Sequence, residues 1–274
     1  MHGILQPPPV MAMGFSQSEK EAIEAAALPG GGELLLLDET ASTNTVLREM
    51  GRSGAADGTT VIADRQTSGR GRLGRRWVSP EGGNLFMSVL FRPRISFSRC
   101  PASTFMASLA LCDTFRAFGV EPEIKWPNDV LSNGKKVAGV LSEAEPRGEM
   151  CDFVVIGIGV NINLSPERAR ELMAGFSDTV SSVSTVLGRE VDRGSFASAL
   201  IENLFRQQSG FVSKGADWTV ARWAAEWGKL NRTVKVKNNG KEVEGIARKV
   251  DGGGFLYIET ADGELVKIVS GDAA

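Results

Sequence analysis

The chain has 274 residues, 42% apolar and 23% charged, with a formal net charge of -2 and a pI of about 5.7. That is the composition of an ordinary globular protein long enough for one large and one small domain, and its acidic balance excludes a general attraction to nucleic acid or anionic membrane, so any basic site must be local. The only histidine is His2, which removes Ser-His-Asp and Cys-His catalysis and His-based metal sites, while Cys100, Cys112 and Cys151 have neither the count nor the spacing of a disulfide framework or zinc site.

Residues 1–15, with Pro7-Pro8-Pro9 and little periodicity, read as a flexible leader. Ser16 to Leu28 reads as a short helix, with Ser16 and Glu19 spaced as a capping box, and Gly30-Gly31-Gly32 breaks the chain after it. Leu34–Leu37, Thr59–Ala63, Leu85–Phe91 and Phe153–Ile162 have the length and aliphatic content of buried strands, and Lys136–Leu141 is a further strand carrying a glycine. Helical patterns fall at Thr43–Met50, Pro101–Phe118, Pro166–Met173, Ser195–Phe211 and Asp217–Trp227. Several strands follow one another without a helix between them, which predicts an α/β (α+β) fold with a mixed sheet packed by helices rather than strict βαβ winding.

After Trp227 the pattern changes to four short alternating strands, Thr233–Lys237, Glu242–Val250, Phe255–Glu259 and Leu265–Val269. Asn238-Asn239-Gly240, Asp251-Gly252-Gly253-Gly254 and Asp262-Gly263 supply the turns, and the whole suggests a small SH3-like β-barrel. No apolar run reaches membrane-spanning length and no signal-peptide pattern opens the chain, so a reduced, cytoplasmic location is the default expectation.

The most unusual stretch is Gln66-Thr67-Ser68-Gly69-Arg70-Gly71-Arg72-Leu73-Gly74-Arg75-Arg76-Trp77, with four arginines and three glycines in eight residues. Glycines let a backbone approach a ligand closely, and guanidinium groups bind carboxylate and phosphate through paired N–H donors. Gly69 to Gly74 also matches G-x-G-x-x-G, but a dinucleotide site needs a helix immediately afterwards and an acidic residue about twenty positions on. Trp77-Val78-Ser79-Pro80 and Leu90-Phe91-Arg92-Pro93 stand in those places. An anion-binding loop and a solvated basic loop are the readings that remain.

Four more segments carry polar groups suited to a site. Lys125-Trp126-Pro127-Asn128-Asp129 predicts a tight turn beside a strand, with Asp129 able to hold a cation or accept a proton; alone such a turn is more often structural. In Lys135-Lys136-Val137-Ala138-Gly139-Val140-Leu141-Ser142-Glu143 a lysine enters an apolar strand, either pointing into a pocket or guarding a sheet edge. The glycines of Gly157-Ile158-Gly159-Val160-Asn161-Ile162-Asn163 imply close approach of a ligand or of another backbone. Ser42-Thr43-Asn44 fits a helix N-cap that can also turn polar atoms to a ligand.

Together and in this order, from about Leu34 to the end, these segments resemble the biotin–protein ligases; Gly-Arg-Gly-Arg, Lys-Trp-Pro-Asn-Asp and Lys-x-Ala-Gly-x-Leu are jointly very specific. The resemblance implies a leader and short helix over 1–33, a catalytic domain over 34–228 and an SH3-like domain over 229–274. It implies that Ser42, Thr43, Asn44, Gln66, Arg70, Gly71, Arg72, Lys136 and Gly139 bind biotin. It places Arg70, Arg72, Arg75, Trp77, Asn128, Lys136 and Asn161 on ATP or the adenylate. Lys136, Arg72 and Asp129 are the implied catalytic groups, with Asp129 also a candidate for Mg²⁺. ATP and biotin are then substrates, Mg²⁺ the cofactor, and a biotin carboxyl carrier protein of acetyl-CoA carboxylase or another biotin-dependent carboxylase the partner. Family members that repress transcription carry an N-terminal winged helix-turn-helix, for which about thirty residues are too few, so no DNA binding is expected; a homodimer stays open. A lipoate or octanoate ligase-type acyltransferase and a non-catalytic biotin or nucleotide sensor are the alternatives.

Overall fold

The computed structural model describes residues 14–26, 28, 31–78, 80, 82–172, 175, 177–238, 241–269 and 271. The expected leader up to residue 13, Gly30, Ser79, Met173 and the Asn239-Gly240 turn lie outside the described residues.

The chain runs α1 (Gln17–Glu24), β1 (Leu34–Thr40), α2 (Thr43–Arg52), β2 (Thr60–Gln66), β3 (Leu85–Phe91), α3 (Ala102–Ala117), β4 (Glu123–Lys125), β5 (Asp129–Ser132), β6 (Lys135–Arg147) and β7 (Met150–Val160). Then follow α4 (Pro166–Leu172), α5 (Val183–Leu187), α6 (Arg193–Lys214), α7 (Ala216–Trp227), β8 (Thr233–Asn238), β9 (Lys241–Val250), β10 (Leu256–Glu259) and β11 (Leu265–Ile268). Seven strands form one sheet in the order β1-β2-β3-β7-β6-β5-β4. Only β1 and β2 pair in parallel and the other neighbours are antiparallel, so the sheet is mixed as expected.

Both faces of the central strands are covered, which is why β3 and most of β7 read as continuous apolar runs. On one face α2 lays Leu47 on Val61, Leu90, Phe153 and Val155. The other face carries the main core, built with α3, α6 and α7. Helix α3 is buried almost all round, and its Ala102, Ser103, Ala107, Ser108 and Ala110 are small enough to let neighbours close in. Cys112 is one of its core residues; burial pushes that thiol up to about 12, which removes it as a nucleophile at neutral pH. All three cysteines are free and buried.

Two elements depart from the sequence reading. Leu34–Leu37 belongs to a longer strand that is only half-buried, because β1 is the sheet's edge. Helix α1 has the expected capping box but ends at Glu24, and it packs on α6 with Phe15 and Ile23 buried. Glu19 joins the two helices: Arg193 Nε donates to its Oε1 at 2.7 Å, and Arg193 Nη1 donates to the buried Asp64 of β2 at 2.5 Å.

The last four strands form a second, antiparallel sheet in the order β11-β10-β9-β8. Its turns follow the expected chemistry: Asp251 Oδ1 accepts from the N–H groups of Gly253 and Phe255, and Gly254 and Gly263 both have φ of 84°. The indole N–H of the buried Trp126 donates to Gly254 O at 3.3 Å, fastening this sheet to the large one. Among the described residues no helix is long and apolar enough to cross a membrane.

Candidate functional site

A cavity opens over the sheet face that carries α2. Ser42, Thr43, Asn44 and Gln66 form one end of it, Arg70, Gly71, Arg72, Arg75 and Trp77 one wall, and Asn128, Asp129, Lys136 and Gly139 another. The sequence had scattered these thirteen residues over four segments.

The uncharged end is built at the start of α2. Ser42 has the extended backbone of an N-cap, yet its side chain does not cap the helix. The end of β2 does so instead: Thr43 N donates to Gln66 Oε1 at 2.9 Å, and Thr43 Oγ1 lies 3.3 Å from the same oxygen. Ser88, fully buried on β3, joins the group, with its hydroxyl 2.7 Å from Thr43 Oγ1 and 2.6 Å from Asn44 Oδ1. Asn44 Nδ2 donates to Leu141 O at 3.2 Å and to Glu143 Oε2 at 2.8 Å. Free helix N–H groups and fixed amides give this end both donors and acceptors for a neutral polar group.

The floor is flat because three strand positions lack side chains. A Cβ on Gly157 would lie 2.1 Å from Asn44 Oδ1, one on Gly159 2.6 Å from Trp77 Cε2, and one on Gly139 2.9 Å from Trp77 Cζ3. The glycines thus make room for side chains of the chain itself, rather than only for a ligand or a backbone. Lys136 is no sheet-edge guard, since there β6 pairs with β5 on one side and is bridged to Val180 on the other. Its Nζ lies 2.7 Å from Asp129 Oδ1 and 5.1 Å from the centre of the Trp77 ring. Asp129 opens β5, directly after the turn that Trp126-Pro127-Asn128 makes, and the Trp126–Pro127 bond is cis.

The arginine loop folds back on itself. Gly71 N donates to Arg75 O at 2.7 Å and Trp77 N to Gly69 O at 2.9 Å, around a tight turn in which Leu73 and Gly74 have φ of 55° and 73°. Arg72 Nη1 donates to Asn128 Oδ1 at 2.9 Å and to Gly271 O at 3.4 Å, so this loop, the turn before β5 and the C-terminal segment meet at one guanidinium. Arg70, Arg72, Arg75, Arg76 and Lys136 all line the cavity, against Asp129 as its acid. A protein of net charge -2 therefore holds a locally cationic pocket, in which a chain of anionic groups can be neutralised while an uncharged head is held at the other end.

Asn161 is the exception among the expected residues, because it is not part of the cavity wall. Its Nδ2 donates to Ser181 O at 3.0 Å, and Ser181 N donates in turn to Lys136 O at 2.9 Å. From beside β6 it thus braces the main chain that carries Lys136. Sequence reading also missed Ser88 and Glu143 as members of the site; a serine and a glutamate inside strands carry no local signal of the partners they reach.

Residues 36–161 match the biotin/lipoate A/B protein ligase family, and residues 229–274 match the biotin protein ligase C-terminal domain. The chain is 34% identical over 236 residues to the biotin–[acetyl-CoA-carboxylase] ligase of Paracoccus denitrificans, covering 84% of this chain and 96% of that protein. It is 31% identical over 243 residues to the bifunctional ligase/repressor BirA of Bacillus subtilis, covering 88% of this chain and 74% of that protein. Among solved structures, the biotin protein ligase from Aquifex aeolicus in complex with biotin and ATP superposes with a TM-score of 0.69 at 28% identity, over 88% of this chain and 97% of that one. Fold, cavity and relatives agree, and the chain belongs to the biotin protein ligase family.

Proposed function

We propose that this chain is an ATP-dependent biotin–protein ligase that forms biotinyl-5'-AMP and then transfers the biotinyl group to a lysine of a biotin carboxyl carrier protein. The observation that carries the reading is the single cavity whose uncharged end and arginine-lined end meet at Lys136. Biotin fits it head first: the bicyclic head against Ser42, Thr43, Asn44 and Gln66, the carboxylate toward Lys136. The nucleotide lies along Arg72, Arg75, Trp77 and Asn128, with Asn161 acting from behind through Lys136. The catalytic unit is assigned to residues 34–228 together with α1, and the small domain to 229–274.

In the first step a biotin carboxylate oxygen bonds to the α-phosphorus of ATP and the bond to pyrophosphate breaks. Both reactants are anions, so their repulsion is the main obstacle, and fixed positive groups aimed at it are what a protein can supply. Lys136, Arg72 and Arg75 fill that role. Among the described residues no cluster of three or more His, Cys, Asp or Glu could hold a metal ion. Asp129 would offer one oxygen to a Mg²⁺ carried by the phosphates, which would add neutralising charge there. In the second step the carrier amine attacks the acyl carbonyl and AMP leaves. The amine must first lose a proton, and Asp129 is the nearest carboxylate to Lys136, where the acyl group would sit. Water would destroy the mixed anhydride, so closure of the 69–77 loop over it is part of the mechanism.

The assignment is to a reduced, cytoplasmic enzyme that leaves DNA unbound, in keeping with its net charge of -2. Beyond Val140, which still bonds to Asn128, no strand among the described residues pairs with the outer edge of β6 up to Arg147, which supports a homodimer formed by strand pairing. The deciding experiment incubates the purified chain with biotin, ATP and a biotin carboxyl carrier domain, and reads the carrier's mass. Addition of one biotinyl group to a single lysine, dependent on ATP, is expected. No addition from biotin, with addition from lipoate or octanoate, would overturn the assignment.

A further inference from the structure

Glu143 lies on β6, two residues beyond Leu141, and it is the point where the two ends of the site touch. Its Oε2 accepts from Asn44 Nδ2 at 2.8 Å, while Arg70 Nη1 donates to Oε1 at 2.9 Å and Arg70 Nη2 to Oε2 at 2.6 Å. A carboxylate beside a pocket for two anions works against their binding, so its presence requires a compensating role.

Two consequences follow from the bonds it makes. A primary amide has two donor hydrogens and two acceptor positions. Both hydrogens of Asn44 are used, one on Leu141 O and one on Glu143, and Ser88 donates to Oδ1. Asn44 is thereby locked with its oxygen toward Gly157 and the cavity, offering an acceptor to the ligand. Without Glu143 only the longer bond to Leu141 O, at 3.2 Å, would hold the amide in this orientation, because the Ser88 hydroxyl donates or accepts equally well. Secondly, the two-pronged contact fixes Arg70, the first arginine of the loop, to the body of the sheet. Its fork cannot be given to a phosphate while that contact lasts. The next pair of residues on the same face repeats the arrangement for the rest of α2, where Glu145 accepts from Arg48 and Arg52.

We propose that Glu143 is a positioning residue that couples biotin binding to closure of the arginine loop: it sets the polarity of Asn44 and tethers Arg70 through one carboxylate, so that filling the uncharged end fixes the loop for ATP. This rests on the ligase reading above. Glu143→Gln and Glu143→Ala separate the two tasks. The glutamine keeps an acceptor for Asn44 but loses the charged, two-pronged hold on Arg70; the alanine loses both.

The experiment is ATP–pyrophosphate exchange titrated with each substrate in turn, alongside trypsin cleavage at Arg70, Arg72, Arg75 and Arg76 with and without biotin. In Glu143→Gln the KM for biotin is expected to stay within about threefold of the parent, the KM for ATP to rise about tenfold or more, and biotin to lose its protection of the loop. In Glu143→Ala both KM values are expected to rise. A merely structural residue would lower the melting temperature without splitting the two KM values. In an Arg70→Ala background, Glu143→Gln should change nothing further for ATP. Biotin protection and an ATP KM in Glu143→Gln that match the parent would overturn the proposal. An unmutated chain with no biotin-dependent exchange would overturn the ligase reading, and this coupling with it.

Discussion

Adding one methyl group at Gly157 tests whether the floor of the cavity works as described. The residue is in strand β7 and has no positive φ that would by itself demand glycine, so the effect of Gly157→Ala is confined to what the new Cβ meets. It meets Asn44 at 2.1 Å from Oδ1 and 2.8 Å from Cγ, well inside van der Waals contact. Asn44 must move, giving up contacts to Ser88 at 2.6 Å, Glu143 at 2.8 Å and Leu141 O at 3.2 Å. Crowding a packed site by a methyl costs about 1–3 kcal/mol. If that cost falls on the bound state, biotin affinity drops roughly 5- to 150-fold, at tenfold per 1.4 kcal/mol. Gly159→Ala is the internal control. Its Cβ would lie 2.6 and 2.7 Å from Trp77 Cε2 and Cζ2, so it should disturb the nucleotide side instead. ATP–pyrophosphate exchange with each substrate varied, and a thermal melt on each variant, reads all of this. Gly157→Ala with a biotin KM within twofold of the parent, or both variants raising the same KM equally, would refute the reasoning.

Lys136→Ala removes the charge at the junction of the two substrates and should slow adenylate formation about a hundredfold, the ~3 kcal/mol typical of one group aimed at the transition state; near-normal pyrophosphate release would count against it. Asp129→Asn, supplied with isolated biotinyl-adenylate and carrier, should transfer slowly if Asp129 accepts the amine's proton, and normal transfer would leave it only a phosphate or metal role. For Glu19, burial alone would raise the pKa, but hydrogen bonds from Arg193 and Ser16 and the Arg193 charge bring it below 4.5. A lowered carboxyl pKa contributes stability that is present above pH 4.5 and lost as pH falls through the folded-state value. Glu19→Gln should therefore be less stable at neutral pH and lose less on acidification. Melting temperatures of the two proteins falling in parallel below pH 4.5 would contradict this.

The fold was legible where the pattern is local. Helices α2, α3 and α7 lie within two residues of their periodic segments, and the turns of the small sheet follow from Asp and Gly. The site was legible because its chemistry is dense: a run of arginines and glycines cannot be mistaken for core. What escaped reading joins residues far apart in the chain. Asn44 finds Glu143 99 positions on, and Glu19 finds Arg193 174 positions on. No local periodicity encodes such pairs. Asn161 was placed by motif on the nucleotide, yet here it supports Ser181 and through it Lys136, a relation visible only once the strands are laid side by side. The Ser42 cap failed for the same reason, since Gln66 from another strand reached the helix end first.

The position of Trp77 also gives the protein a built-in optical reporter. Of the five tryptophans, Trp126, Trp223 and Trp227 are buried in the core, and Trp218 sits between Lys214 and Arg222. Only Trp77 lies in the cavity, its ring over a lysine ammonium. The others supply a steady background emission, against which a base stacking on one indole registers as quenching, without any dye attached.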